Sequence, residues 1–153
     1  MKNDSEQDYG VRKLEVQDNA KGFLKLLSQL TVCELVSERE FEERFREISG
    51  SNDDHLVCVI EDTNLGEIVA TGSVFIEKKF IRSCAQVGHI EDVVVDERVR
   101  GKNLGRKIVE FLVAHASSKG CYKVILDCSP ENALFYEKCG FKRKEIQMVQ
   151  YFK

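Results

Sequence analysis

The stretch Gly88 to Arg106, GHIEDVVVDERVRGKNLGR, decides how the chain folds. Its first half, extended back to Gln86, gathers Ile and Val up to Val95 and predicts a strand. Asp96 to Lys102 reads as a polar turn. Beyond it Leu104, Ile108, Phe111, Leu112 and His115 share one helical face until Gly120 stops the helix. Gly101 and Gly105 lack a Cβ, so a ligand can approach the backbone, and a helix start offers unpaired N–H donors to an anion. Arg100, Lys102, Arg106 and Lys107 add positive charge, which suits a phosphorylated ligand of modest size. The same residues also admit a plain reading, a glycine-containing helix start with a solvated basic face.

Upstream, residues 1–8 read as a loose tail and 9–153 as one domain. Val11 to Val16 predicts a first strand. Asp18 is a helix-cap candidate ahead of Phe23, Leu26, Leu27 and Leu30 at helical spacing, and Ser37 with Glu40 forms a capping-box pattern before Phe41, Phe45 and Ile48. His55 to Glu61 and Glu67 to Glu77, joined through Asp62, Asn64 and Gly66, predict a hairpin. Downstream, Cys121 to Cys128 predicts a short strand, Ser129 and Pro130 open a helix over 131–138, and Phe141 to Phe152 is expected to complete the sheet. The order β-α-α-β-β-β-α-β-α-β defines a mixed α/β domain. It lacks the regular alternation of a doubly wound sheet, and the Rossmann glycine fingerprint is absent.

Composition narrows the function classes. The chain has 153 residues, 42% hydrophobic and 32% charged, with 23 basic against 26 acidic side chains for a net charge of −3, as expected of one soluble domain. The longest apolar run, Leu56 to Ile60, is far below the roughly 18 residues of a membrane span. Met1 to Tyr9 has no hydrophobic signal region, so the expected compartment is the cytoplasm. A pI of 5.7 argues against bulk attraction to nucleic acid. Six scattered cysteines without a C-x-x-C spacing, and three histidines, predict reduced thiols and no metal site.

Arg100-Gly101-Lys102-Asn103-Leu104-Gly105 resembles the pyrophosphate loop Q/R-x-x-G-x-G/A of the Gcn5-related N-acetyltransferase (GNAT) superfamily, with Asn103 where the middle glycine is usual. Asn tolerates positive φ better than most residues, which lets the loop geometry survive. KFIRSCA (Lys79 to Ala85), GHIEDVVV, RGKNLGR, CYKVILDC (Cys121 to Cys128) and ENALFYEKCGF (Glu131 to Phe141) are similar, in order, to the eukaryotic branch that acetylates glucosamine 6-phosphate. The resemblance implies a single GNAT-like domain with a mostly antiparallel central sheet. It also implies acetyl-CoA as co-substrate, the 2-amino group of an amino-sugar phosphate as acceptor, and a homodimer with shared active sites, for which the apolar segment Ile146 to Phe152 is suited.

Residue by residue, the resemblance assigns Glu91 to the amine and Asp92 to sugar binding or support. Tyr136 would protonate the leaving thiolate, and Asp127 joins the acidic set. Backbone near Val93, with Val94 and Val95, would hold the thioester and the cofactor arm alongside Asn132 and the loop Arg100 to Arg106. Thr31, Lys79, Phe80, Ile81, Arg82, Lys123 and Asp127 would shape the acceptor pocket. The family commonly has an arginine two or three residues beyond the position of Met148. Here Gln150 and Tyr151 stand instead, leaving Arg143 or Lys144 to supply that charge. The residues alone also admit a GNAT enzyme acting on another amine, or a CoA-binding sensor without turnover.

Overall fold

A computed structural model describes residues 9–153; the tail expected at 1–8 lies outside the described residues. Five strands form one sheet in the order β1-β2-β3-β4-β5: Val11–Lys13, His55–Asp62, Glu67–Lys78, Gln86–Val95 and Cys121–Ile125. The first four pair antiparallel and β4 pairs β5 in parallel. The helices are α1 (Phe23–Leu27), α2 (Glu38–Ser49), the single turn α3 (Ile81–Cys84), α4 (Leu104–Ser118) and α5 (Ala133–Lys138).

Local chemistry sets several of these boundaries. Ser37 accepts the Glu40 N–H through its side chain and Glu40 returns a bond to the Ser37 N–H, closing the expected capping box of α2. The Asp62 carboxylate accepts the N–H groups of Asn64 and Leu65 and fixes the β2–β3 turn. On one face of the sheet, Ile60, Val74 and Ile90 pack with Leu104, Ile108, Leu112 and Ala116 of α4 and its entry. On the other, Phe23, Leu26 and Phe41 from α1 and α2 cover Val59, Ile68 and Val94.

Gly72 lets α4 sit directly on the sheet. A Cβ there would meet Ile108 Cγ2 at 2.7 Å, Leu112 Cδ1 at 3.0 Å and Val93 Cγ2 at 3.3 Å. Gly72→Ala is therefore expected to cost about 1–3 kcal/mol through overpacking, read as a lower denaturant midpoint.

The structure corrects four local expectations. The first strand stops at Lys13, and residues 16–21 are a 3-10 turn before the short α1, which leaves Leu30 outside any helix. Asp18 sits inside that turn, fully buried and paired with Arg12, so it is not a leading cap. The fifth strand ends at Ile125 rather than at Cys128. Residues 141–152 form no strand within one chain, and the observed order lacks the final β. Phe141 still packs against the core, but beyond it Ile146, Met148, Tyr151 and Phe152 are 85–89% exposed.

Candidate active site

Strand β4 builds the site by breaking its regularity twice. It pairs with β5 only from Gln86 to His89, after which the two strands part and Ile90 to Val95 run without a β5 partner. Past this point β4 keeps only its β3 partner, which leaves its other edge open to an extended ligand that binds as a strand would. The second break is a bulge: Ser73 faces Glu91 and Thr71 faces Val94, so Asp92 and Val93 together oppose Gly72. Asp92 takes up the extra residue with φ 52°. The bulge interrupts the regular alternation of a strand at the acidic pair.

The acidic neighbours of Glu91 line two cavities, while Glu91 itself lines neither. Asp92 lines one of about 620 Å³ between α1, α2 and the sheet, together with Ser73, His55 and Arg44. Lys123, Asp127, Cys128 and Tyr136 line another of about 800 Å³ between β5, α5 and the following chain. Partial burial first, then the charges of Asp92 and Asp127, raise the Glu91 pKa. A carboxyl group tuned upward is a better proton acceptor than an ordinary glutamate. Ser73 Oγ donates to the Glu91 carbonyl at 3.2 Å and braces the bulge.

Tyr136 is held edge-on between the rings of Phe135 and Phe141, with centroids at 4.9 and 6.1 Å. Burial, then the nearby Cys128 and Cys139, raises its pKa, so the phenol keeps its proton for donation. Asp127 accepts from Gln147 Nε2 at 3.1 Å, which ties the carboxyl-terminal segment to the second cavity.

The loop after β4 has the features an anionic cofactor needs. Gly101 adopts φ +89° with open space where a Cβ would stand. Asn103 takes the left-handed conformation, φ 61°, as the N-cap of α4, and its side chain makes no cap hydrogen bond. The loop geometry thus survives the loss of the middle glycine, and the donors at the start of α4 remain for a ligand. Gly105 lets Phe135 approach, since a Cβ would lie 3.2 Å from Phe135 Cζ. The side chains of Val94 and Leu104 are core, so these two can serve a cofactor only through their backbone. Arg106 pairs with Glu110 at 2.8 Å. Asn132 is the exposed N-cap of α5.

The expected acceptor-binding residues are only partly gathered. Arg82 lies 4.7 Å over the Tyr122 ring and Lys123 lies 5.6 Å from the same ring, helped by a register shift that leaves Tyr122 unpaired opposite β4. Lys79 pairs with Glu77 at 3.4 Å, and Glu77 also bonds His89. Glu77 and Lys123 both pair opposite Val87 on β4, and His89 stands two residues before Glu91. Phe80 and Ile81 are exposed, on a turn where Arg82, Ser83 and Cys84 all have positive φ. Thr31 is exposed after α1, outside the residues lining either cavity. Arg143 is engaged by Glu137. The sequence reading missed Ser73, Tyr122 and the cavity role of His55, whose pKa is lowered by burial and then by Arg44, against the pull of Asp92. Their only sequence signal was position on strands already recognised.

A sheet that opens between its fourth and fifth strands, beside a glycine-bearing loop at a helix start, defines a GNAT acetyltransferase. The acetyltransferase (GNAT) family profile matches residues 21–141, and the chain belongs to that family. It is 60% identical over 146 residues to the glucosamine 6-phosphate N-acetyltransferase of Arabidopsis thaliana, covering 95% of this chain and 98% of that one. A Dictyostelium discoideum protein named glucosamine 6-phosphate N-acetyltransferase 1 is 49% identical, with coverages of 92% and 88%. The crystal structure of the Arabidopsis enzyme superposes with a TM-score of 0.94 over 96% of this chain and 100% of that one. An acetyltransferase from Trypanosoma brucei superposes with a TM-score of 0.86 at 39% identity, over 95% and 100% of the two chains.

Proposed function

We infer that the protein transfers the acetyl group of acetyl-CoA to the 2-amino group of glucosamine 6-phosphate, by direct attack in a ternary complex. The observation that carries the chemistry is the place of Glu91 just past the point where β4 and β5 part, with Asp92 and Asp127 near enough to act on its carboxyl group. The loop Arg100 to Gly105 and the first N–H groups of α4 fit the phosphates of CoA, and Arg100 and Lys102 supply charge. Bound acetyl-CoA supplies the activated acyl group as a thioester. Glu91 accepts the proton that the acceptor amine sheds, directly or through a water, while Asp92 orients the sugar from the bulge. Backbone N–H near Val93 donates to the carbonyl oxygen as charge develops on it. Tyr136 Oη donates its proton to the departing sulfur.

Incubation of the protein with acetyl-CoA and, in turn, glucosamine 6-phosphate, glucosamine, spermidine and a lysine peptide tests this reading through thiol release. Release with glucosamine 6-phosphate alone is the expected result. Release only with another amine would discard the acceptor, and CoA binding without release would replace the enzyme by a sensor. The product, N-acetylglucosamine 6-phosphate, fits a role in UDP-GlcNAc synthesis. Six free thiols suit the reducing cytoplasm, and among the described residues no helix is long and apolar enough to cross a membrane.

The working unit of this proposal is a homodimer. Ile146, Met148, Val149, Tyr151 and Phe152 form an exposed apolar segment that one chain leaves uncovered. A second subunit supplies a surface for it and brings further groups to the acceptor side, where Lys79, Arg82 and Lys123 would meet the phosphate. Light scattering at micromolar concentration is expected to give twice the 17.5 kDa chain mass. Tyr151→Ser with Phe152→Ser should shift that mass toward the monomer, and a monomeric wild type would defeat the arrangement.

A further inference from the structure

We propose that Tyr9 is a positioning residue for cofactor binding, holding the Lys102 ammonium at the anion-binding loop so that it meets the phosphates of CoA already oriented. The inference rests on the reading of Arg100 to Gly105 as the CoA loop. Lys102 Nζ donates to Tyr9 Oη at 3.0 Å and lies 5.2 Å from the centre of the Tyr9 ring. A hydroxyl can accept and donate at once. The Tyr9 O–H points on to Asp62 Oδ2 at 3.5 Å, the long end of a hydrogen bond.

Both anchors of this chain of contacts are fixed. Asp62 is 6% exposed, and its other oxygen is committed to the N–H groups of Asn64 and Leu65 in the β2–β3 turn. The Tyr9 ring packs against the core cluster under α4. Three segments far apart in sequence, ahead of β1, at the β2–β3 turn and in the loop after β4, are therefore linked through the Tyr9 hydroxyl.

A free lysine carries about 2 kcal/mol of rotamer entropy that a ligand must overcome to order it. Contacts that restrain the side chain before binding lower this ordering cost. Tyr9, and more weakly Asp62, also favour the charged amine. A tether of this kind acts on cofactor affinity. It leaves the chemical step at Glu91 and Tyr136 untouched.

Tyr9→Phe keeps the packed ring and removes only the hydroxyl. Calorimetric titration with CoA is expected to show affinity reduced about 3- to 10-fold, with KM for acetyl-CoA raised by a similar factor and kcat at saturation unchanged. Lys102→Met, a change at an exposed position, should weaken CoA binding at least as much, and Tyr9→Phe should add nothing in the Lys102→Met background. Unchanged affinity in Tyr9→Phe, or an equal loss with and without Lys102, would overturn the inference while leaving the CoA loop in place. Failure of the wild-type protein to bind CoA at all would instead overturn the loop assignment, and this inference with it.

Discussion

Glu91→Gln is expected to lower kcat by about two to four orders of magnitude, the range a lost general base commands, with a much smaller effect on CoA affinity. The amide keeps the shape of the side chain and removes its basicity, so the loss reports proton transfer rather than packing. The wild-type enzyme is active with Glu91 ionised. Because burial and the charges of Asp92 and Asp127 raise its pKa, activity should fall on the acid side at a pH above the ordinary glutamate value of about 4.3. The variant should lose that limb of the kcat/KM profile and retain any limb set by the amine of the acceptor. Stability should move in the opposite sense. A carboxyl whose folded pKa is raised destabilises the fold while it is charged, and the penalty vanishes as pH falls below its unfolded value. At neutral pH, Glu91→Gln is therefore expected to melt no lower than wild type. A variant with wild-type kcat would remove Glu91 from the mechanism.

Much of this site was legible because its signals are local. The strand up to Val95, the polar turn and the face Leu104, Ile108, Leu112 each follow from periodicity, and Asn103 could stand for glycine because positive φ costs asparagine little. The features that aim the chemistry are not local. The bulge at Asp92 depends on Gly72 lying opposite and admitting Ile108, which strand periodicity does not encode. The left-handed turn Arg82 to Cys84 carries no glycine, so nothing in its composition announces positive φ. Phe141 to Phe152 has the pattern of a strand, yet it pairs with nothing in one chain although the outer edge of β5 is open, because periodicity specifies the faces of a strand and not its partner. Tyr9 escaped notice because its role arises from contact with Lys102, 93 residues away.

The same limit explains Asp18, whose polar character suggested a surface cap and whose true setting produces the largest stability effect expected in the molecule. Asp18 is 0% exposed, and Arg12 grips both its oxygens at 2.8 Å, while the Glu15 N–H donates to the same carboxylate. Burial alone would raise the Asp18 pKa. The Arg12 hydrogen bonds, the Glu15 N–H and the charges of Arg12 and Lys21 outweigh it and hold the value low. Arg12→Met should therefore strip a buried carboxylate of its paired guanidinium, leaving only the Glu15 N–H and the more distant charge of Lys21, and cost about 3–5 kcal/mol. For a chain of this length that corresponds to a melting point lower by roughly 10 °C. Adding Asp18→Leu should recover part of the loss, because an apolar pair needs no compensation. The pH dependence follows from the depressed pKa: the pair's contribution is present above the unfolded aspartate value of about 3.9 and is lost as pH falls through the lower folded value. Arg12→Met should flatten that acid transition. Since the pair fastens β1 to the turn that leads into α1, and α1 walls the cavity of Asp92, the variant should also raise KM for the amino sugar more than KM for acetyl-CoA. Equal changes in both constants would show that the pair supports the fold without shaping the acceptor side.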